Sequence, residues 1–599
     1  MYVNERLAAL RQLMKEREID IYLIPTADFH NSENVGDYFK AREYMSGFTG
    51  SAGTVVVTKD YAGLWTDGRY FLQADKELAG TRIELQKMGE EGTPTIADFI
   101  VDTMPKGGKL GFDGRVVMYG EGKNLAARLK RKEASIVYDL DLVGEVWKDR
   151  PSLSKNKAFA LSLEQAGESV ADKLKRVREE MLSYGANAHI ITSLDDTGWL
   201  LNIRGTDVEF FPLLLSYTIV YENKVELYVD ESKLSDEIKV DLAKDKIILK
   251  DYNEVYDAVK EFTYSDVVLV DPDLLNYAIY NNIPKEVILV EKRNPTILMK
   301  AMKNEVEVSN IIKAHIKDGV AHTKFIYWLK ELVKSGKLEE ETEMSASDKL
   351  VEFRKSQGDY IFPSFSPIFG HGPNGAIIHY SSSPETNRKL TEGTFLLTDS
   401  GSHFMQGSTD ITRTHALGEV PAGLKSDYTR VLKANLSLSK IKFIEGIAGQ
   451  NVDILARQHL WANYQDYRHG TGHGVGYIGN IHEGPANIRW QVPASGQVEP
   501  LREGMILSNE PGLYIAGSHG IRLENELLVR KTVKNDFGQF MEFEVITYVP
   551  FDLEAIDLSL MTDVDREELN KYHARVYELV SPHLTEEEKV WLREATREI

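Results

Sequence analysis

The first half of the chain repeats itself, and that repeat limits the folds open to it. Residues 4–25 place Leu7, Leu10, Leu13 and Met14 at helical spacing and run into an apolar strand, Ile19–Ile24. Residues 170–192 do the same, with Val170, Leu174, Val177 and Met181 ahead of Ala188–Thr192. Each copy then meets a glycine-containing loop and a further strand, SGFTGSAGTVVV at 46–57 and NIRGTDVEFFPLLLSYTIV at 202–220. One more strand follows in each, Ala62–Thr66 and Val225–Val229. A helix with one apolar face, followed by short apolar strands, is an α/β unit. Two tandem α/β domains of about 150 residues each account for the echo.

The rest of the 599 residues leaves room for one or two more domains, at about 100–200 residues each. The polar stretch KDRPSLSKNK predicts a boundary near 150–165, and Arg293-Asn294-Pro295 another near 293–304. From 304 to 334, Val306, Val308, Ile311, Ile312, His315, Ile316 and Val320 form the stripe of a long helix. LEEETE at 338–343 reads as the solvated start of another helix. Strand and turn signals dominate 358–420 and 500–550, and the last fifty or so residues read as two helices. Thr585 and Glu588 have the spacing of a capping box for the second of these. The expected architecture is α/β and multi-domain, divided as 1–160, 161–297, 298–550 and a helical extension at 551–599.

Composition excludes several classes of function. Lys+Arg is 71 and Asp+Glu is 92, a formal charge of −21 that repels nucleic-acid backbones and anionic lipid. With no cysteine, disulfides, thiolate zinc sites and a thiol nucleophile are ruled out. No window approaches the ~18 uninterrupted apolar residues of a membrane span. The N-terminal segment has charges every few residues and lacks the apolar core of a signal peptide, so a cytoplasmic location is expected.

Three clusters in the last domain carry residues suited to metal chemistry. In FLLTDSGSHFMQGSTDITRT (395–414), an apolar strand ends at Asp399, a glycine-rich turn follows, and a second strand starts near Asp410. Adjacent antiparallel strands would aim both carboxylates at one point, although aspartates flanking a turn more often serve the turn itself. RHGTGHGVGYIGNIHEGP (468–485) sets His469, His473 and His482 among glycines, in a segment that reads as too glycine-rich to build a core. In MILSNEPGLYIAGSHGIRLENELLV (505–529), Glu510 ends an apolar strand, and Glu524 shares a strand face with Arg522 and Glu526, a face that is ordinarily solvated. Four carboxylates brought together would repel one another unless cations were present. Oxygen ligands with one or two imidazoles suit divalent ions such as Mn2+, Co2+ or Zn2+. A pair of such ions ~3.5–4 Å apart can activate a bridging water for hydrolysis of a carbonyl.

The motifs DSG, GSTDITRT, HGTGHGVG, IHEGP and NEPG, with IIHY at 377–380, FTGSAGT, WTDGRYFLQA at 65–74 and WLLNIRG at 199–205, make the resemblance specific. The chain resembles the pita-bread metallopeptidases, and over nearly its whole length the long three-domain Xaa-Pro aminopeptidases. That resemblance implies two creatinase-like α/β domains ahead of a pita-bread α+β catalytic domain with a pseudo-two-fold antiparallel sheet. It implies release of the N-terminal residue from peptides with proline in second position, and two divalent ions, Mn2+ by expectation. The implied ligands are Asp399, Asp410, His473, Glu510 and Glu524, with Asp410 and Glu524 bridging both ions. Asp399 completes one site, and His473 and Glu510 complete the other. His379, His469 and His482 are implied to orient substrate, donate to the scissile carbonyl and relay protons. Glu510 is the implied proton acceptor, and Arg522 a residue that orients ligands. A homodimer is implied as well, with the first two domains restricting entry to the site and contributing to the interface.

The family's Gly-Thr-Thr-Asp reads Gly-Ser-Thr-Asp at 407–410, a minor departure. His371 and His403 are expected to lie outside the ligand set. Two other functions share these motifs. One is a prolidase restricted to Xaa-Pro dipeptides. The other is a pita-bread protein that has lost its metals and binds peptides, from which at least one of the five ligands should be missing.

Overall fold

The computed structural model describes residues 2–493 and 496–599. They form two compact units: Met1–Leu161 with Ser169–Thr296, and Ser162–Glu168 with Ile297–Ile599.

The first unit contains the repeat. Helix α1 (Val3–Glu16) buries Leu7, Leu10 and Met14, and α2 (Val170–Ser183) buries Leu174, Val177 and Met181. Each such side chain removed from water contributes roughly 1.5–3 kcal/mol. The first sheet comprises β1 (Ile21–Pro25), β2 (Thr54–Thr58), β3 (Ala62–Thr66), β4 (Glu84–Lys87), β5 (Lys109–Gly111) and β6 (Ser135–Val137). The second comprises β7 (Ala188–Ile191), β8 (Ser216–Tyr221), β9 (Val225–Val229), β10 (Ile247–Lys250), β11 (Val267–Val270) and β12 (Ile288–Glu291). Strand order is β4-β3-β2-β1-β5-β6 in one and β10-β9-β8-β7-β11-β12 in the other. The senses agree strand for strand, an antiparallel centre with parallel pairs at both edges. The repeat is therefore one of topology as well as of pattern. The first strand starts at Ile21, two residues later than the apolar run suggests.

The second unit opens with α3 (Glu305–Ser335), capped by Asn304 and Glu307, and α4 (Glu343–Lys355). Along α3, Val308, Ile311, His315 and Val320 are buried, whereas Val306 at its start is exposed. A short antiparallel sheet joins β13 (Ile368–His371), β14 (Thr394–Ser400) and β15 (Ile411–Leu417). Helices α5 (Ala422–Ser439) and α6 (Ile454–Trp461) follow. The larger sheet is built from β16 (Lys442–Ile444), β17 (Gly472–Gly474), β18 (Glu483–Ile488), β19 (Ile506–Asn509), β22 (Asn525–Asn535) and β23 (Gly538–Val545), with the pair β20 (Gly512–Ile515) and β21 (His519–Arg522) between β19 and β22 in sequence. Its order is β16-β23-β22-β19-β17-β18. Leu432, Leu436, Ala456 and Leu460 of α5 and α6 pack with Leu507, Leu527 and Val529 in one core. Helices α7 (Asp563–Val580) and α8 (Glu586–Ala595) end the chain, and α8 carries the Thr585–Glu588 capping box.

Two local expectations are corrected. The run at 338–343 is not a solvated helix start throughout: Glu343 is fully buried, accepting N–H groups of His371, Asn374 and Arg388 and the Tyr380 hydroxyl. The 468–485 segment does pack a core, since Val475, Tyr477, Ile478 and Ile481 are buried. Apolar residues between the glycines supply the packing that composition hides.

Candidate metal centre

Asp399 and Asp410 come from the paired strands β14 and β15. The register sets Asp399 opposite Thr412 and Ser400 opposite Ile411, so the two carboxylates emerge on neighbouring strands. Both are buried. The turn between them is held from beneath: Arg354 donates to Ser400 O (3.0 Å) and Gly401 O (3.3 Å), and Thr409 Oγ1 donates to Asp318 (2.5 Å). The Asp410 N–H is bound by Glu526 Oε1 at 2.7 Å.

Glu510 and Glu524 come from β19 and the lead-in to β22. The ladder ends with Asn509 opposite Asn525, which sets Glu510 opposite Glu524. Their N–H groups point away from each other, to Thr471 O (2.8 Å) and Thr412 O (3.0 Å). Thr412 Oγ1 donates to Glu524 Oε2 (2.7 Å), and Ser508 Oγ to Glu510 Oε1 (3.2 Å). The strand face carrying Arg522, Glu524 and Glu526 is not solvated, because Glu524 is only 1% exposed and both faces are interior.

His473 lies between two glycines that its neighbours require. A Cβ on Gly472 would stand 1.9 Å from Ser508 O, and one on Gly474 2.2 Å from Glu483 O. The His473 Nδ1 donates to Gly474 O at 2.9 Å, which turns Nε2 toward the carboxylates. Nε2 stands 3.5 Å from both Asp410 Oδ2 and Glu510 Oε1. The exposed His482 ring lies edge-on to it, centroids 4.3 Å apart. His469 donates from Nδ1 to Gly470 O (2.7 Å) and accepts at Nε2 from the Tyr514 hydroxyl (2.8 Å). Arg522 completes that chain, donating from Nη1 to Tyr514 Oη (2.6 Å) and from Nε to Asp399 Oδ2 (3.1 Å). His379 is half-buried and close enough to His469 to lower its basicity. His371 and His403 are bonded elsewhere, to Thr391 and to Ser408.

The electrostatics are those of a site short of positive charge. Burial pushes Glu524 well above the carboxylate range, and Asp410, Glu510 and Asp399 push it further. Burial lifts Glu510 to about 7 against the pull of His473 and Arg522. Asp399 is raised by burial and by Asp410, with Arg522 opposing. Burial alone would lower His473, but Asp410 and Glu510 hold it up at about 9. Burial and then Arg522 drive His469 down to about 3.

These residues fit divalent cations. Asp410, His473 and Glu524 each offer a ligand atom, all within 4.8 Å of one another. Asp399 Oδ1 is buried and makes no hydrogen bond. Carboxylates with one imidazole are a donor set for hard or borderline divalent ions, and bare of ions they raise one another's pKa. Tyr514, Thr412 and Ser508 also belong to this arrangement: Thr412 lies within GSTDITRT and Ser508 and Tyr514 flank NEPG, but none of the three is an expected site residue. Only the apolar, strand-like context after NEPG hinted that Tyr514 faces inward.

Residues 309–531 match metallopeptidase family M24, and 539–599 match its C-terminal region. Residues 6–142 and 149–307 each match a creatinase/prolidase N-terminal domain. The chain is 38% identical to "Aminopeptidase P2" of Arabidopsis thaliana, over 97% of this chain and 86% of that protein. It is 38% identical to "Xaa-Pro aminopeptidase 1" of Dictyostelium discoideum, over 97% and 93% respectively. Its fold matches the crystal structure of the X-prolyl aminopeptidase of Caenorhabditis elegans, described as a cytosolic enzyme with a di-nuclear active site. There the TM-score is 0.94 and the identity 34%, with all of both chains covered.

Proposed function

As the chain belongs to the Xaa-Pro aminopeptidases (aminopeptidase P) of metallopeptidase family M24, we propose that it releases the N-terminal residue from peptides with proline in second position, using two divalent ions held by Asp399, Asp410, His473, Glu510 and Glu524. It is a metallo-aminopeptidase, a hydrolase. The observation that carries the ligand assignment is the approach of Asp410, Glu510 and Glu524 to the His473 ring.

In this reading Asp410 and Glu524 would serve both ions, Asp399 would help hold one, and His473 and Glu510 would help hold the other. When bound, such ions acidify water and draw electron density from a peptide carbonyl. Glu510 is the assigned proton acceptor, steadied by Ser508 on one oxygen and by Thr471 on its backbone N–H. His469 stays neutral at physiological pH, so it acts as a hydrogen-bond partner, and with Tyr514 it transmits the position of Arg522. His379 and His482 keep contact with solvent and are assigned to the scissile carbonyl and to proton relay. Arg522 holds Asp399 in place. Mn2+ is the proposed metal, with Co2+ or Zn2+ as substitutes, since the donors are mostly oxygen with one imidazole. We also propose a cytoplasmic homodimer. The location is supported by the "cytosolic" description of the C. elegans protein. The dimer is what the resemblance to the long Xaa-Pro aminopeptidases implies.

The test uses metal-stripped protein with Mn2+ added back, on Arg-Pro-Pro, Ala-Pro and Met-Ala-Ser. Metal-dependent release of Arg from the tripeptide, with little cleavage of the others, is the expected result. Preference for Ala-Pro would make the protein a dipeptidase, and no cleavage with two ions bound would make it a binding protein.

A further inference from the structure

The strands that carry Glu510 and Glu524 lose one hydrogen bond of their ladder at the pair next to the two facing glutamates. Their own N–H groups are turned outward, so Glu510 and Glu524 form a non-hydrogen-bonded pair. The next pair along, Pro511 with Leu523, should therefore exchange two hydrogen bonds. Leu523 N–H does donate to Pro511 O, at 3.3 Å. The reciprocal bond cannot form, because proline has no N–H. Leu523 O is left at the centre of a buried region without its ladder donor, which is costly unless another group serves it.

That group is Asn435, fully buried on α5. Its Nδ2 donates to Leu523 O at 3.0 Å and to Asn509 O at 2.9 Å. An amide nitrogen has two protons, and both are spent here. Leu523 and Asn509 are the residues immediately before Glu524 and Glu510. Asn509 returns the contact, its own Nδ2 donating to Asn435 O (2.9 Å) and Ser439 Oγ (2.9 Å), and Ser439 Oγ donates to Asn435 O (2.9 Å). Three of the four acceptors are carbonyl oxygens, and the fourth, Ser439 Oγ, has spent its proton on Asn435 O, so the orientation of both amides is fixed by chemistry.

We propose that Asn435 is a positioning residue of the metal centre: one side-chain amide, held rigidly on a helix, sets the separation of the backbones that present Glu510 and Glu524. This rests on the ligand assignment above. Without the clamp, the proline break lets the two strands part, and a pair of carboxylates that already repel each other drifts from the spacing two ions need. Groups supporting metal ligands in this way are worth about 10–100-fold in metal affinity. Asn435 touches neither substrate nor ligand atoms, so its effect falls on metal affinity ahead of turnover.

The experiment titrates Mn2+ into metal-stripped full-length protein by calorimetry. It compares the wild type with Asn435→Ala and with Leu432→Ala, a fully buried apolar position on the same helix. The paramagnetic resonance of the di-Mn2+ form is recorded for each. Asn435→Ala should weaken Mn2+ binding about 10–100-fold and alter the coupled two-ion signal, whereas Leu432→Ala should lower thermal stability and leave both unchanged. Wild-type affinity and signal in Asn435→Ala would overturn the clamp. Equal weakening in Leu432→Ala would also overturn it, since general loosening would then suffice. Should Asn435→Ala fail to fold, Asn435→Leu, which fills the space and carries no donor, is read the same way: weakening supports the clamp and wild-type binding overturns it. If the wild type itself takes up no pair of ions, the ligand assignment fails and the clamp falls with it; two ions in the wild type with unchanged affinity in Asn435→Ala sink the clamp alone.

Discussion

Two clusters of buried charge in the second unit are balanced in opposite ways. Around Asp318, the carboxylate takes Arg354 Nε at 2.8 Å, Arg354 Nη2 at 3.1 Å and the Thr409 hydroxyl at 2.5 Å. Burial would raise it, but Arg354 and His322 overcome that, and Asp318 ends below the ordinary aspartate range. Around Asp399, Asp410, Glu510 and Glu524 burial is slightly shallower, yet it pushes the carboxyls of Asp399, Glu510 and Glu524 up. Arg522 serves Asp399, and His473 is shared between Asp410 and Glu510. The difference is the supply of positive charge. A cluster closed by its own arginine is structural, and one left short of cations by the chain is where ions belong. The two are also coupled in sequence. Arg354 holds the carbonyls just after Asp399, and Thr409, bonded to Asp318, precedes Asp410.

Asp410→Ala gives the largest contrast. It should lose the bridging ligand and with it both ions, reducing kcat/KM by about 10^4-fold or more. Metal content after dialysis should fall with activity, and retained stoichiometry would refute the bridging role. Asp318→Ala breaks the other cluster. It strands Arg354 in the interior and should cost about 3–5 kcal/mol of stability in urea unfolding. A change below about 1 kcal/mol would show that this pair is not closed as described. His379→Ala should leave metal content near normal and lower kcat about 10^2–10^3-fold. Loss of metal in that variant would make His379 a ligand.

The smallest contrast is in acid, and it concerns the paired interior. His415 and His573 are held at about 3 by burial, with nearby cations such as Arg413 adding to the effect. Folded, they stay neutral, whereas unfolded they take up protons below about pH 6.5. Their contribution is therefore complete above pH 6.5 and is lost as pH falls toward 3, by at most about 1.4 kcal/mol per pH unit for each. Denaturation midpoints between pH 7 and 5 should decline accordingly. Replacing His573 with Gln should flatten the decline, and an unchanged slope would remove His573 from this account.

The repeat is readable because it rests on short-range pattern: helical and strand periods mark the two sheets. Asp399, Asp410, His473 and Glu510 stand out through glycine- or proline-containing motifs, but the five-residue ligand set comes from the family resemblance and stays a proposal. What supports them was not readable. Asn435 is one polar residue on an apolar helix, and its meaning depends on carbonyls far along the chain whose ladder donor Pro511 removes. Glu343 looked like part of an acidic surface run until the fold wrapped His371, Asn374, Tyr380 and Arg388 around it. Glu524 looked solvated because alternation along a strand says which residues share a face, not what covers it. Tyr514 has no spacing signature, since its partners His469 and Arg522 arrive from different segments.

The central claim is that the charge deficit at these carboxylates is filled by two ions. Crystals soaked in Mn2+ and measured at a wavelength where manganese scatters anomalously test it most directly. The account predicts two anomalous peaks about 3.5–4 Å apart, both touching Asp410 and Glu524, one also reached by Asp399 and the other by His473 and Glu510. A single peak, or a pair bound away from Asp410 and Glu524, would contradict it.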